Sequence, residues 1–251
     1  FISNLLVLIF YLSITQKYSK INFDIDRKFT YSIIKNGYTY GLALFLLYIV
    51  YNVEIFALKN VVTDEELGYY VLSIKIINMI CLLPQSLGLI LFSTGSSNIG
   101  GGINRKIQLT ALFCRFSILL ILFICLILFF FSGLIIEFVF GSGYAKSDDI
   151  LRMLTPALFG LFITKILYAE YAGREKINKF LTVFFIFASL KTLLIFIFAP
   201  IYFIDGAVII TVITYNLLGC TIIFYYSKLN HIKIKDLVII KLDDFTKVMK
   251  S

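Results

Sequence analysis

Charge is scarce in this chain. Only 15% of its 251 residues are charged, against about a quarter in soluble domains, while 60% are hydrophobic and the mean hydropathy is +0.93. These values exclude an ordinary soluble domain and predict a protein that crosses a membrane several times. The apolar runs are long and unbroken, so they favour helices over the alternating segments of about ten residues that build a transmembrane barrel.

Histidine and cysteine are scarce as well. The single histidine is His231, and the four cysteines all fall within apolar runs with no metal-ligand spacing between them: Cys81, Cys114, Cys125 and Cys220. No set of nucleophile and base residues is visible. We therefore expect no catalytic residues, no metal site and no cofactor, and we predict that the protein is not an enzyme.

The first residues lack the marks of a signal peptide. Phe1 lies inside an apolar run, with no charged region before it and no small-residue cleavage site after it. We expect a fragment of a longer protein, in which residues 1–14 are the last part of a membrane-spanning helix.

The chain is organised around the stretch from residue 37 to residue 92. Residues 37–58 and 69–92 are each apolar for more than 20 positions, enough to cross a hydrocarbon core of about 30 Å as a helix. The turn between them carries three acids, so the stretch predicts a transmembrane hairpin. Glu54 and Lys75 lie inside its two helices at a similar depth, roughly 9 Å from the turn.

Further apolar segments follow. They cover residues 107–131, about 147–171, 180–199 and about 207–226. The predicted fold is therefore an all-α integral membrane protein with six full transmembrane helices and a partial one before them. Its parts are the end of a helix with a loop (1–36), a six-helix unit (37–226) and a basic tail (227–251). Ser147 is predicted to cap the helix that follows it.

Lysine and arginine are distributed unevenly between the loops. Sixteen of the 23 lie in the tail and in three loops, at residues 16–36, 93–106 and 172–179. The alternate loops hold only Lys59 and Lys146. The positive-inside rule then places the tail in the cytoplasm. The same distribution accounts for the net charge of +8 without a nucleic-acid partner.

Short motifs within residues 40–84, at 140–144 and at 205–214 resemble those of a known transporter family. They are Tyr40-Gly41, Glu54, the run 67–70 (LGYY), Pro84, Phe140-Gly141 with Tyr144, and the run 205–214 (DGAVIITVIT). This pattern resembles the Wzx-type oligosaccharide flippases, in the polysaccharide-biosynthesis branch of the superfamily that also holds the multidrug-extruding MATE transporters. Lys191 and Ile210 depart from it, because the family often has Asn and Ala there.

The resemblance implies a function and a place in the cell. The chain would form the second six-helix lobe of a two-lobe transporter in the bacterial inner membrane. It would move polyprenyl-pyrophosphate-linked oligosaccharide for a surface polysaccharide, such as O-antigen or capsule, to the outer leaflet. Membrane lipids, a polymerase and glycosyltransferases of the same pathway are the further partners that it implies.

Charged residues inside the segments are the candidate site. Lys191 lies near the middle of its segment, roughly 16 Å from each surface, so it should face a polar cavity or a carboxylate. An anionic ligand is its expected partner, and a structural ion pair within the six-helix unit is the alternative. Lys75, Arg115 and Lys165 are the other candidate cavity cations, although snorkelling explains Arg115 and Lys165 as well. Glu54 is a candidate for proton or ion coupling, or it forms a structural pair with Lys75.

Two other functions fit the same pattern less well. A drug or cation antiporter of the same superfamily would favour carboxylates in its cavity, whereas lysines dominate the buried charges here. A membrane enzyme of polysaccharide assembly, such as a polymerase or an acyltransferase, would need catalytic residues on its outer loops. Those loops are short, and the single histidine lies in the tail.

Overall fold

The computed structural model describes positions 5, 7, 10, 11 and 14 and residues 26–96, 102–174 and 177–240. Two compact units share the chain, Phe1–Tyr38 and Thr39–Ser251. Helices account for nearly all of the described residues. They are α1 (Arg27–Leu58), α2 (Asp64–Ile80), α3 (Leu82–Ser96), α4 (Gly102–Phe140), a 3-10 turn (Ser142–Tyr144), α5 (Ser147–Leu154), α6 (Ala157–Gly173), α7 (Asn178–Asn230) and α8 (Ile234–Val238).

Several of these helices are suited to a lipid environment. Within the part of the chain that the structure describes, four spans are long and apolar enough to cross a membrane: Gly37–Leu58, Asp64–Ser93, Arg105–Phe140 and Asn178–Asn230. Helices α5 and α6, which are bent by 55° at a short break, make a fifth if they are taken as one span. The protein is therefore an all-helical membrane protein of several spans, as the composition predicted.

Helix α1 begins ten residues before the apolar segment that predicted it. Its first turn is capped by Asp26, whose carboxylate accepts the backbone N–H of Lys28 at 2.9 Å. The predicted loop is therefore helical from Arg27 onward. Hydropathy marks only the part of a helix that suits lipid, and a polar extension of the same helix carries no such mark.

Helix α2 also begins earlier than predicted, at Asp64. Thr63 and Glu66 form a capping box: the backbone N–H of Glu66 donates to the Thr63 hydroxyl at 3.3 Å, and that of Thr63 donates to the Glu66 carboxylate at 3.0 Å. The acidic turn is thus the first turn of the helix. A break at Cys81 separates α2 from α3, and Pro84 then lies in the first turn of α3, where its missing N–H costs little.

The segment predicted as one helix over 147–171 is two. Pro156 stands at the break between α5 and α6, because it cannot donate the helical hydrogen bond there. The predicted cap at Ser147 is wrong. Ser147 is the first residue of α5 and is buried, and its carbonyl oxygen accepts the hydroxyl of Ser73 at 2.9 Å.

Helix α7 folds back on itself at Phe203, where the backbone leaves the helical region with φ 50° and ψ −131°. The rings of Phe180 and Tyr225 lie 5.8 Å apart, whereas a straight helix would separate 45 residues by about 68 Å. Its two arms, α7a (178–202) and α7b (204–230), are therefore antiparallel. This confirms the predicted reversal between residues 199 and 207.

Of the basic tail predicted at residues 227–251, the structure describes the part up to residue 240. The described part of the tail ends in α8, which packs against α4 and α7. Leu237 is its buried anchor.

Helix α6 lies at the centre of the helical packing, against α3, α4 and α7. Two glycines let it approach α7b closely: a Cβ at Gly160 would lie 2.0 Å from the carbonyl oxygen of Tyr215, and one at Gly219 would lie 2.6 Å from the Cα of Gly160. Asn216 then donates its side-chain amide to the carbonyl oxygen of Pro156 at 3.0 Å. Tyr215 is held in place by this contact.

Filling this contact should destabilise the protein. We expect Gly160→Ala to cost about 1–3 kcal/mol, because all three atoms nearest to the new methyl group belong to backbone and the helices must move apart. Thermal unfolding in detergent measures the effect. Gly68→Ala is the matched control, since a Cβ at that helical glycine meets nothing within 4 Å. An equal melting temperature for Gly160→Ala and the parent would contradict the close approach.

Candidate functional site

A fully buried ion pair joins α1 to α7a. The Lys191 ammonium lies 2.7 Å from Oε2 of Glu54, and both side chains have no exposed surface. Lys191 also donates to the backbone carbonyl oxygen of Val50 at 2.6 Å and lies 4.3 Å from the centre of the Tyr215 ring. The ammonium therefore has a carboxylate, a carbonyl and an aromatic face around it. Such partners are what a charge in a membrane interior requires.

This geometry corrects two predictions. Glu54 does not pair with Lys75, because Lys75 is exposed on α2 while Ser73, Ile74 and Ile77 of the same helix are buried. Helix α2 also begins at Asp64, so Lys75 lies further from the turn than predicted. For Lys191 the alternative of a structural ion pair is confirmed in place of an anionic ligand, since the protein's own Glu54 meets the ammonium.

A cavity of about 480 Å³ lies between α1, α3 and α6. Its lining is mostly apolar, with four tyrosines, one glutamine and one lysine as the polar members. None of the described residues that line it is acidic. The lining residues are Tyr40, Leu44, Leu47, Tyr48, Tyr51, Gln85, Leu89, Phe92, Lys165, Tyr168, Ala169 and Ala172.

Lys165 is the one candidate cation that lines this cavity. It is half-buried, and no carboxylate of the described residues forms an ion pair with it. Its ammonium lies 4.9 Å from the centre of the Tyr51 ring. The cavity therefore combines a cation with aromatic and aliphatic surface, which suits a ligand with an anionic head and an apolar body.

Two tyrosines connect the cavity to the buried pair. Tyr51 has Lys165 over its ring and meets Tyr215 edge to face, with ring centres 5.7 Å apart. Tyr215 in turn lies beneath the ammonium of Lys191. Lys165, Tyr51, Tyr215, Lys191 and Glu54 thus form one continuous series of contacts across α6, α1 and α7.

The four candidate cations do not share one site. Arg115 is buried in α4, with 6% of its surface exposed, and lines neither of the two cavities described here. Lys75 is exposed and Lys191 is enclosed by its own partners. A second cavity, of about 360 Å³, lies on α7 around the reversal at Phe203. Among the described residues that line it, Asp205 alone is charged.

The tyrosines are the site residues that sequence reasoning missed, because only charged residues within the segments were considered as candidates. A signal was present. Tyr40, Leu44, Tyr48 and Tyr51 recur at intervals of three or four residues, which places them on one face of a helix. Periodicity identifies such a face, but it does not tell whether the face meets lipid, another helix or a cavity.

Comparisons with protein-family models, with curated proteins and with solved structures find no match to this chain. Support for a function of this chain therefore comes from the geometry of the site.

Proposed function

We propose that residues 37–226 form one lobe of a flippase that moves polyprenyl-pyrophosphate-linked oligosaccharide across the bacterial inner membrane. The observation that carries the proposal is Lys165, a cation without an ion-pair partner among the described residues, in a tyrosine-lined and mostly apolar cavity. A lysine ammonium is a compact charge that binds phosphate oxygens well. Membrane lipids, and the polymerase and glycosyltransferases of the same pathway, are the partners that this function implies.

The parts of such a substrate match the parts of the cavity. The pyrophosphate head would lie at Lys165, where charge-assisted hydrogen bonds replace its water. Tyrosine rings offer flat apolar faces with a hydroxyl at the edge, which suits sugar rings and the first isoprene units. The polyprenyl tail is far longer than a cavity of about 480 Å³ and would remain in the lipid.

On this proposal, the helices of the lobe would cross the membrane six times. Helices α1 and α4 provide one crossing each, the broken helices α2–α3 and α5–α6 provide one each, and the two arms of α7 provide two. Broken helices at the depth of a substrate site are common in transporters, where lobes rock around a fixed site.

The rival functions receive less support from the cavity. A cation antiporter needs negative charge at its site, and the described lining of this cavity has a lysine and no carboxylate. A polysaccharide polymerase or acyltransferase needs a reactive group, and the described residues that line the cavity include neither histidine, cysteine nor an acid. A binding and translocating role fits these residues better than a catalytic one.

A translocation assay tests the proposal. The two-lobe transporter that contains this lobe, reconstituted in liposomes, should accelerate the movement of a short-chain fluorescent polyprenyl-pyrophosphate sugar between leaflets, measured by quenching with an impermeant reductant. The same liposomes should not expel a cationic dye faster than protein-free ones. Dye efflux without lipid movement would favour the antiporter and overturn the proposal.

We further propose that the tail and the turn at Arg174 face the cytoplasm, on the distribution of lysine and arginine. The contacts agree with two distinct ends. Lys146 lies 5.7 Å from the centre of the Tyr69 ring, and the hydroxyl of Tyr69 donates to Glu65. At the other end, Arg174 donates to the side-chain oxygen of Asn230 at 3.1 Å.

Cysteine labelling in intact cells should reveal this orientation. In a background with Cys220→Ser, we expect Glu65→Cys and Lys146→Cys to react with an impermeant thiol reagent, because both positions are exposed and face outward on this proposal. Lys235→Cys, exposed in the tail, should react only after the cells are opened. The reverse pattern would overturn the orientation.

A further inference from the structure

The cavity at the reversal of α7 is a groove between the two arms of that helix. Its volume of about 360 Å³ lies within the range of ligand pockets in proteins. Ile209 and Ile213 in its lining are each 50% exposed, so the groove is open to the surroundings of the protein. Leu194, Phe198 and Tyr202 line it from α7a, and Asp205, Gly206, Ile209, Ile210 and Ile213 line it from α7b.

The groove has the length of a lipid chain within one leaflet. Its lining extends over residues 194–202 of α7a and 205–213 of α7b, which is eight residue steps on each arm, or roughly 12 Å. One leaflet contributes about 15 Å to a hydrocarbon core of about 30 Å. The reversal at Phe203 ends both arms, so Asp205 lies at the membrane-surface end of the groove. Tyr202 is exposed at the same end, as is typical of tyrosines at the headgroup level.

The charge at this end is a carboxylate without a counter-ion. Asp205 is exposed, and within the part of the chain that the structure describes its side chain forms neither a hydrogen bond nor an ion pair. Helix α7 supplies no cation nearby, since neither lysine nor arginine occurs between Lys191 and Lys228. An anionic group therefore stands at the surface end of the groove, and apolar side chains line the rest.

We propose that this groove is a binding site for a phospholipid with a primary-amine headgroup, of the phosphatidylethanolamine type. Its ammonium would donate hydrogen bonds to Asp205, and one acyl chain would lie against Ile209 and Ile213. A primary ammonium has three N–H donors, as in lysine, whereas the quaternary ammonium of a choline headgroup has none. A phosphatidylglycerol headgroup carries a net negative charge, which the carboxylate repels. The site therefore selects the primary amine.

This site is distinct from the one proposed for transport. Lys165 and its cavity belong to α1, α3 and α6, whereas the groove belongs to the two arms of α7. A pyrophosphate head suits the ammonium of Lys165 and is repelled by the carboxylate of Asp205. The lipid site therefore does not depend on the proposed transport function.

Competition between lipids tests the proposal. The full-length protein in detergent would receive equal amounts of phosphatidylethanolamine, phosphatidylcholine and phosphatidylglycerol with identical acyl chains, and native mass spectrometry would count the molecules that stay bound. We expect phosphatidylethanolamine to be retained about 10-fold over the other two, the lower end of the effect of a hydrogen bond to a charged group. Asp205→Asn should abolish this preference. Equal retention of the three lipids by the parent, a preference for phosphatidylcholine, or an unchanged preference in Asp205→Asn would overturn the proposal.

Two matched controls complete the test. Asp149→Asn should keep the preference, because Asp149 is an exposed acid on α5 outside the groove. Ile209→Trp should fill the groove and reduce bound phosphatidylethanolamine to the level of Asp205→Asn. Leu217→Trp should not, because Leu217 is 49% exposed on α7b and does not line the groove. Melting temperatures check that both tryptophan variants are folded. Equal retention by the two, or an experimental structure with a protein segment seated in the groove, would overturn the lipid site.

Discussion

Replacing Lys191 alone with Met should remove most of the folded protein from the membrane. The change leaves the carboxylate of Glu54 buried without its partner, and breaking a buried pair from one side costs about 3–5 kcal/mol. Glu54→Leu should have a similar effect, because it leaves the ammonium of Lys191 unpaired. The amount of monodisperse protein extracted from membranes, together with its melting temperature, measures both losses.

The double variant Glu54→Leu/Lys191→Met should recover most of this loss, since no charge then remains buried. Lys75→Met is the control, because Lys75 is exposed on α2 and outside the pair. The double variant also separates two roles of Glu54. A folded and active double variant would make the pair structural, whereas a folded but inactive one would support the coupling role. A double variant as unstable as either single one would contradict the paired geometry.

Lys165→Met should leave the protein folded and impair transport. The side chain is half-buried at the cavity and has no ion-pair partner among the described residues, so its charge can be removed without stranding another. A hydrogen bond to a charged group contributes about 1.5–3 kcal/mol, which corresponds to a fall in the rate of lipid movement of about 10- to 150-fold. Lys165→Arg should retain part of the rate, because it keeps the charge in a different shape.

The translocation assay measures this loss, with the quantity of reconstituted protein held equal. Lys75→Met is the matched control here as well, as a lysine within a membrane span that lies outside the cavity. A normal rate in Lys165→Met would remove Lys165 from the substrate site.

The positions at which helices begin and end could be predicted only in part from the sequence. The acids at 64–66 mark a helix start in water, yet the capping box that begins α2 at Asp64 was overlooked in favour of the apolar boundary. Pro156 marks the break between α5 and α6, but the apolar run around it is long enough for one span and led to the prediction of a single helix. Hydropathy reports where lipid is tolerated, while capping and proline geometry decide where helices begin and end.

The sequence did not predict which charged residues pair inside the protein. Glu54 and Lys75 belong to consecutive segments, which made them natural partners, but Glu54 pairs with Lys191, 137 positions away. The reversal at Phe203 and the close approach of α6 to α7b through Gly160 bring Tyr215 and Lys191 beside α1. A linear pattern gives the depth of a charge but not the helix that faces it.

The sequence by itself determined that this is a helical membrane protein of several spans, because burial of the backbone in lipid and long apolar runs leave few alternatives. It also determined where the chain reverses between residues 199 and 207. Only the tertiary structure decided that Lys191 is neutralised by Glu54 and that Lys165 faces a cavity. The reason is physical: lipid selects for hydrophobicity along each helix, whereas the pairing of charges depends on how the helices rotate and pack against one another.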